Sequence, residues 1–160
     1  MNDRRTFLGL AGLAGASVLL FGRSGNATPN AHFAVNHTPA EWKRMLGAQR
    51  YAVLREAETE RAFTSPLLNE HRRGIFSCAG CAKPLFSSAT KFESGTGWPS
   101  FWKTLPGAVV TRADPSLMMD RTEVLCERCG GHLGHVFDDG PKPTGLRYCM
   151  NGLALNFRAA

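Results

Sequence analysis

Apolar positions along this chain change their period once, near Gly74. Upstream they recur at helical spacing. Downstream they come in short runs broken by Gly, Pro, Ser and Asp, which favours strands and turns. The helical part opens with a start signal: Thr38 can cap, Pro39 occupies the first turn where its missing N–H costs nothing, and Glu41 is placed to complete a capping box. Trp42, Met45 and Leu46 follow on one face, and Gly47 ends the helix. A second helical segment within 48–63, which need not run unbroken to Phe63, turns Tyr51, Val53 and Leu54 to a core and leaves its charges on a solvated face with no catalytic role. Beyond Gly74, Phe76, Leu85, Phe86 and Phe92, then Val109, Val110, Val124 and Leu125, mark short strands. Between them GTGWPSF (95–101) is a glycine-rich turn carrying two aromatics. The expected fold is mainly β, with two small antiparallel sheets of short strands and one or two N-terminal helices.

The first residues stand outside that fold. MNDRRTFLGLAGLAGASVLLFGRSGNA has a charged start, an apolar run and a small-residue end, so residues 1–27 read as an export signal cleaved after Ala27. Its apolar run, Phe7 to Phe21, is glycine-containing and shorter than the ~20 residues a spanning helix needs, which favours a signal over a stable membrane anchor. Arg4 and Arg5 before Thr6, Phe7 and Leu8 resemble the twin-arginine motif, which implies a periplasmic or otherwise exported protein. Residues 28–37 are polar and without period, a flexible lead-in to a single domain over 38–160. With 43% hydrophobic and 20% charged residues, the chain has the composition of a globular domain. Without the signal its net charge falls to +4, and no block of basic residues occurs, so nucleic acid is not an expected partner.

Five cysteines sort by spacing. Cys78 with Cys81 and Cys126 with Cys129 form two CxxC pairs, and two such turns supply the four thiolates of one tetrahedral metal. A structural zinc would then staple two distant parts of the chain, contributing on the order of 10 kcal/mol of folding free energy. Disulfides, a thioredoxin-like dithiol and a nucleic-acid-binding zinc ribbon are the competing readings. The paired turns favour zinc, and neither pair has the βαβ context of a redox dithiol.

Cys149 is left over. In a strand it shares a face with Arg147 and Asn151, and a cation near a thiol raises the thiolate fraction that attacks. The local sequence equally allows a small buried hydrophobe. Asn151-Gly152 adds a hairpin or bulge signal, so the strand bends there. His132 and His135, in GGHLGHVFDDG, offer imidazoles that can donate protons near neutral pH. Zinc ligation or plain backbone hydrogen bonding are their other uses. Trp98, between Gly97 and Pro99, is either core or the wall of a small apolar pocket.

Taken together, the EW of the first helix, PLFSSATKFESGTGWPSF, the two CxxC pairs, HLGHVF and GPKPTGLRYCMNGLALNF resemble the methionine-R-sulfoxide reductase (MsrB) family. The resemblance implies a mainly β fold with a structural zinc held by Cys78, Cys81, Cys126 and Cys129. It implies reduction of the R epimer of methionine sulfoxide, free or in proteins. By that likeness Cys149 is the nucleophile that becomes a sulfenic acid. His132 and His135 protonate or orient the oxygen, Asp139, Arg147 and Asn151 organise the site, and Trp98 and Phe137 bind the substrate. Many members carry a second, resolving cysteine where this chain has Thr96, so an external thiol reductant such as a thioredoxin-like protein is expected to regenerate Cys149. Gly152 and Leu153 depart from the Ser and Ala often found there. A zinc-ribbon binding module and a thiol-disulfide oxidoreductase are the rival functions. The first would tolerate Cys149→Ser, and the second lacks a free dithiol.

Overall fold

The structure is a computed structural model that describes residues 33–116 and 121–160; the signal and residues 28–32 of the lead-in lie outside the described residues. Helix α1, Pro39–Glu56, begins as its start signal dictates: the Thr38 side chain accepts from the Glu41 N–H while the Glu41 carboxylate accepts from the Thr38 N–H. Gly47 takes non-helical angles (φ 70°, ψ 172°), which kinks the helix into the two expected segments. The second segment ends at Glu56, not near Phe63, because Ala57 enters the left-handed region as its cap. Trp42, Tyr51, Val53 and Leu54 are buried, but Met45 is 53% exposed. The part of the lead-in that is described is held to the body: the Val35 N–H donates to Arg128 O, and the His37 ring meets Trp42 edge-on at 4.7 Å.

Among the described residues nine strands follow: β1 (Gly74–Cys78), β2 (Pro84–Ser87), β3 (Lys91–Phe92), β4 (Ser100–Phe101), β5 (Val109–Asp114), β6 (Arg121–Cys126), β7 (His132–Phe137), β8 (Arg147–Met150) and β9 (Leu155–Ala159). They form two antiparallel sheets, β2-β1-β9 and β3-β4-β8-β7-β6-β5. An aromatic cluster joins the sheets. Phe86 of β2 stacks on Phe101 of β4 at 4.3 Å, Phe76 of β1 meets Phe101 at 4.9 Å and Phe157 at 4.8 Å, and Tyr148 of β8 closes the group. Phe76, Phe86 and Phe101 have no exposed surface, and burial of each side chain contributes about 2–3 kcal/mol. Helix α1 packs against β7 and against the 3-10 turn Gly152–Ala154 between β8 and β9.

The four paired cysteines form the second junction. Cys78 ends β1 and Cys126 ends β6, one in each sheet, and each knuckle closes alike: the Ala82 N–H donates to Cys78 O and the Gly130 N–H to Cys126 O, with both donors at φ near +60°. The four sulfurs lie within 4.8 Å of one another, with Cys78–Cys129 at 3.7 Å and Cys81–Cys126 at 3.6 Å. All four are free thiols rather than disulfides. Four thiolates about 2.3 Å from one tetrahedral ion stand about 3.8 Å apart, so the cluster has the size to hold a metal ion.

Candidate active site

Strand alternation decides where Cys149 points. In β8, Tyr148 and Met150 turn to the core, so Arg147 and Cys149 turn to the opposite face of the large sheet. Pairing then selects its neighbours: His135 of β7 and Ser100 of β4 stand directly opposite Cys149, and Phe137 stands opposite Arg147. Gly134 makes this approach possible. A Cβ there would lie 2.1 Å from the Cys149 carbonyl oxygen, and its φ is +153°.

His132 and His135 are three positions apart, an odd interval that sends side chains of a regular strand to opposite faces. A β-bulge removes the conflict. Leu125 pairs with His132 and Val124 with Gly134, so Leu133 is the extra residue on β7 and His132 reaches the face that carries His135. The two rings lie 5.5 Å apart, edge to face. Each imidazole has one nitrogen committed to a carboxylate, His132 Nδ1 to Glu123 Oε1 and His135 Nε2 to Asp114 Oδ2, both at 2.7 Å. Burial pushes the Glu123 carboxyl up, but hydrogen bonds from His132 and Arg112 outweigh it and hold the group below its ordinary 4.5. Asp114 is held well below the usual carboxylate range by Ser116 first and His135 second. Both acids are therefore ionised acceptors, so the facing ring nitrogens carry the hydrogens. His132 Nε2 is left buried without a partner, and Nδ1 remains on His135 to take up a proton. His135 is itself lowered from 6.5, chiefly by burial, against the Asp114 hydrogen bond that raises it.

Cys149, His135, Trp98, Phe137 and Asn151 line one cleft of about 130 Å3, together with Thr59, Arg121 and Gly134. His132 stands behind His135 and outside the lining. Asp139 and Arg147 sit beside the cleft as a bidentate pair, with both N–O distances at 2.8 Å, and the Arg147 guanidinium lies 4.3 Å over the Phe137 ring. That pair holds Asp139 below its ordinary value and raises Arg147, to which the nearby Cys149 sulfur also contributes. Asn151 is buried and faces inward: its Oδ1 accepts from the Glu60 N–H and its Nδ2 donates to Leu133 O, the bulge residue. Asn151-Gly152 makes no hairpin; the chain enters a 3-10 turn instead.

Several residues of this region carry no mark in the sequence, among them Glu123 and Asp114, which hold the two histidines, and Glu60 and Arg121. Glu60 belongs to a stretch read as solvated charge, yet it is 7% exposed. Its carboxylate accepts from the Gly152 and Leu153 N–H groups, its carbonyl accepts from Trp98 Nε1 at 3.1 Å, and its own N–H reaches Asn151. A side chain at position 152 would collide with Ser65 Oγ, 1.8 Å from a Cβ there, which accounts for glycine next to this carboxylate. No local signal could have marked Glu60, because Gly152 and Leu153 lie 92 and 93 positions away. Arg121 lines the cleft and donates to Asp114 and Ser116, and its Nε is buried without a partner among the described residues.

The SelR domain matches residues 46–159. The chain belongs to this family. The protein named peptide methionine sulfoxide reductase MsrB of Methanosarcina barkeri is 51% identical over 129 residues, covering 80% of this chain and 91% of the relative. Its namesake in Thiobacillus denitrificans is 54% identical over 121 residues, covering 75% and 92%. Peptide methionine sulfoxide reductase B1, chloroplastic, of Arabidopsis thaliana is 50% identical over 120 residues, covering 74% and 59%. SelR membership spans both cysteine knuckles and every residue of the cleft, which lie between positions 59 and 151.

Two outcomes are expected from these contacts. Glu60→Ala leaves two N–H groups of the 3-10 turn without their acceptor and lowers the unfolding free energy by about 3 kcal/mol, read from urea titration, with Glu60→Gln losing less. A change under about 0.5 kcal/mol would contradict the assigned role. For pH, a histidine lowered from 6.5 binds its proton in the unfolded chain first, so stability falls as pH drops through 6.5. Carboxylates lowered from 4.5, such as Glu123, add a second loss below that pH. The urea midpoint is expected to show both declines, with the upper one reduced in His135→Gln. A midpoint that rises on acidification from 6.5 would refute the assignment.

Proposed function

We propose that this chain reduces the R epimer of methionine sulfoxide, free or in proteins, with Cys149 as the nucleophile. The observation that carries the reading is the cleft: a half-buried thiol between an indole and a phenyl ring, with a carboxylate-bound imidazole directly across the strand pair. The cleft is small, about 130 Å3, as a site for a small polar group flanked by apolar rings would be. Family membership and the relatives' name, peptide methionine sulfoxide reductase, support it.

Sulfoxide oxygen leaves poorly unless it is protonated, so a thiolate and an acid must meet at one place. The Cys149 thiolate attacks the sulfoxide sulfur while a proton held on His135 Nδ1 passes to the oxygen, and His132 behind it helps to orient that ring. The S–O bond of the substrate breaks and the oxygen ends on Cys149 as a sulfenic acid. Methionine sulfur gains the two electrons that Cys149 sulfur loses. Trp98 and Phe137 hold the methyl group. Asp139 fixes Arg147, and Asn151 fixes the bulge beneath the histidines. One external thiol then attacks the sulfenic sulfur, releasing water and leaving a mixed disulfide. A second thiol, such as that of a thioredoxin-like protein, resolves it. Thr96, not a cysteine, is the side chain in contact with Cys149, which supports an outside reductant.

Turnover of the separated epimers with dithiothreitol tests the activity. The R epimer is expected to react and the S epimer not, with Cys149→Ser at least about a thousandfold slower. Full activity in that variant, or turnover of the S epimer alone, would refute the reading.

Zinc is the ion we assign to Cys78, Cys81, Cys126 and Cys129, given four thiolates at tetrahedral spacing. Bound there it would supply folding free energy and take no part in the reaction. We also infer export by the twin-arginine route, on the pattern of residues 1–27 alone. Expressed as the full chain in bacteria, the protein is expected in the periplasm, shortened at Ala27 and with one zinc per chain. An Arg4→Lys/Arg5→Lys variant is expected to stay in the cytoplasm. Metal-free periplasmic protein would refute the zinc assignment, and unchanged export of the double variant would refute the route.

A further inference from the structure

Behind Cys149 runs a line of hydroxyl groups that the reaction above does not use. Thr96 Oγ1 lies 3.6 Å from Cys149 Sγ, a hydrogen-bonding distance for the large sulfur atom. Ser94 Oγ lies 2.8 Å from Thr96 Oγ1 and 2.7 Å from Ser100 Oγ, and Ser100 Oγ donates to the Trp98 carbonyl at 3.1 Å. Ser100 is 1% exposed and pairs with Cys149 across β4 and β8, so water does not serve this end of the chain. We propose that Thr96 is a catalytic hydrogen-bonding residue for the Cys149 sulfur, at the head of a reversible hydroxyl relay through Ser94 and Ser100 that is anchored on the Trp98 carbonyl. The proposal deepens the function above by naming how the nucleophile is held, and it rests on Cys149 being that nucleophile.

Counting protons gives the relay its direction. Each hydroxyl has one hydrogen, and a carbonyl can only accept. With the Ser100 hydrogen on Trp98 O, Ser94 must donate to Ser100, Thr96 must donate to Ser94, and the Cys149 S–H must donate to Thr96. The resting arrangement therefore keeps a proton on sulfur. Ionisation of Cys149 reverses every hydroxyl in turn: Ser100 donates to Ser94, Ser94 to Thr96, and Thr96 to the thiolate. The reversal gives up a weak S–H donor bond and the bond to Trp98 O. It gains an O–H···S⁻ bond, which is charge-assisted and stronger. The relay thus offers the thiolate a donor without placing another charge beside it. Charge comes from the groups that face Cys149: His135 of β7 with His132 behind it, Arg121 and Glu123 of β6, Asp114 and Arg112 of β5, and Arg147 of β8 with Asp139. The position that carries a resolving cysteine in many members is here given to a hydrogen-bond donor.

The test reads Cys149 itself, by the rate of its alkylation with iodoacetamide across pH, followed by peptide mass in the reduced, metal-loaded protein. Thr96→Val is expected to slow alkylation about tenfold below the midpoint and move the midpoint up by about one pH unit. Thr96→Ser, which keeps the hydroxyl, should match wild type. Ser100→Ala should act in the opposite direction. With its anchor gone, Ser94 is free to donate toward Thr96 without losing a bond, so ionised Cys149 is favoured and alkylation speeds up. A purely steric role for Thr96 predicts no such opposition. The relay is overturned if Thr96→Val leaves the profile unchanged, or if Ser100→Ala shifts it in the same direction as Thr96→Val. Alkylation needs no methionine sulfoxide. Should the variants behave as stated while R-epimer turnover is absent, the functional reading fails and the relay stands.

Discussion

Strand β8 has to satisfy two surfaces with four residues, and the rest of the molecule is arranged around that demand. Tyr148 and Met150 must reach the core between the sheets, which forces Arg147 and Cys149 to the other face. A shift of one residue in its register would bury the thiol among Phe76, Phe86 and Phe101 and put a tyrosine in the cleft. Register is therefore what puts the Cys149 thiol in the cleft instead of the core. It is held by β4 on one side, by β7 on the other, and by the close approach at Gly134 that admits no side chain.

Regular strands would still leave the histidines divided. The Leu133 bulge turns an odd interval into a shared face, and a bulge left to itself exposes unpaired backbone. Asn151 meets that need from the end of β8, with its N–H and its Nδ2 both on Leu133 O. Glu60 carries the support one step outward, binding Asn151, the turn after it and the Trp98 indole. Asn151 at the cleft wall and Glu60 behind it thus determine where the histidines and the indole stand. Burying a carboxylate for this purpose is costly unless every oxygen is bonded, and here each Glu60 oxygen has its N–H donor.

The parts legible in the sequence were those written in local or short-range terms. The capping box at Thr38, the break at Gly47 and the CxxC pairs depend on residues a few positions apart, and each is present where spacing puts it. Cys149, His135 and Trp98 stand out as candidates from spacing and residue type, their roles and Phe137 come from a family likeness, and the cleft brings all four together. Glu60 and Arg121 were not found, since their meaning lies in partners reached across the fold. The bulge was equally invisible: HLGHVF alternates no differently whether or not Leu133 is paired. Met45 shows the opposite failure. Its helical spacing is right, yet it is 53% exposed while Leu46 beside it packs against the core.

Sorting five thiols into four and one also separates two tasks that interfere when shared. A thiolate bound to a metal is held by it and is a poorer nucleophile, while a nucleophile free to attack sulfoxide is free to be oxidised. Placing the cluster where β1 and β6 end lets it join the two sheets, and Cys149 opens instead on the far face of the large one. Among the described residues Cys149 touches a threonine hydroxyl and no second cysteine, so a sulfenic acid formed there would have no disulfide partner at that contact. Under the proposed function the cleft admits a reductant as well as a substrate, while Glu60, which supports its wall, stays buried.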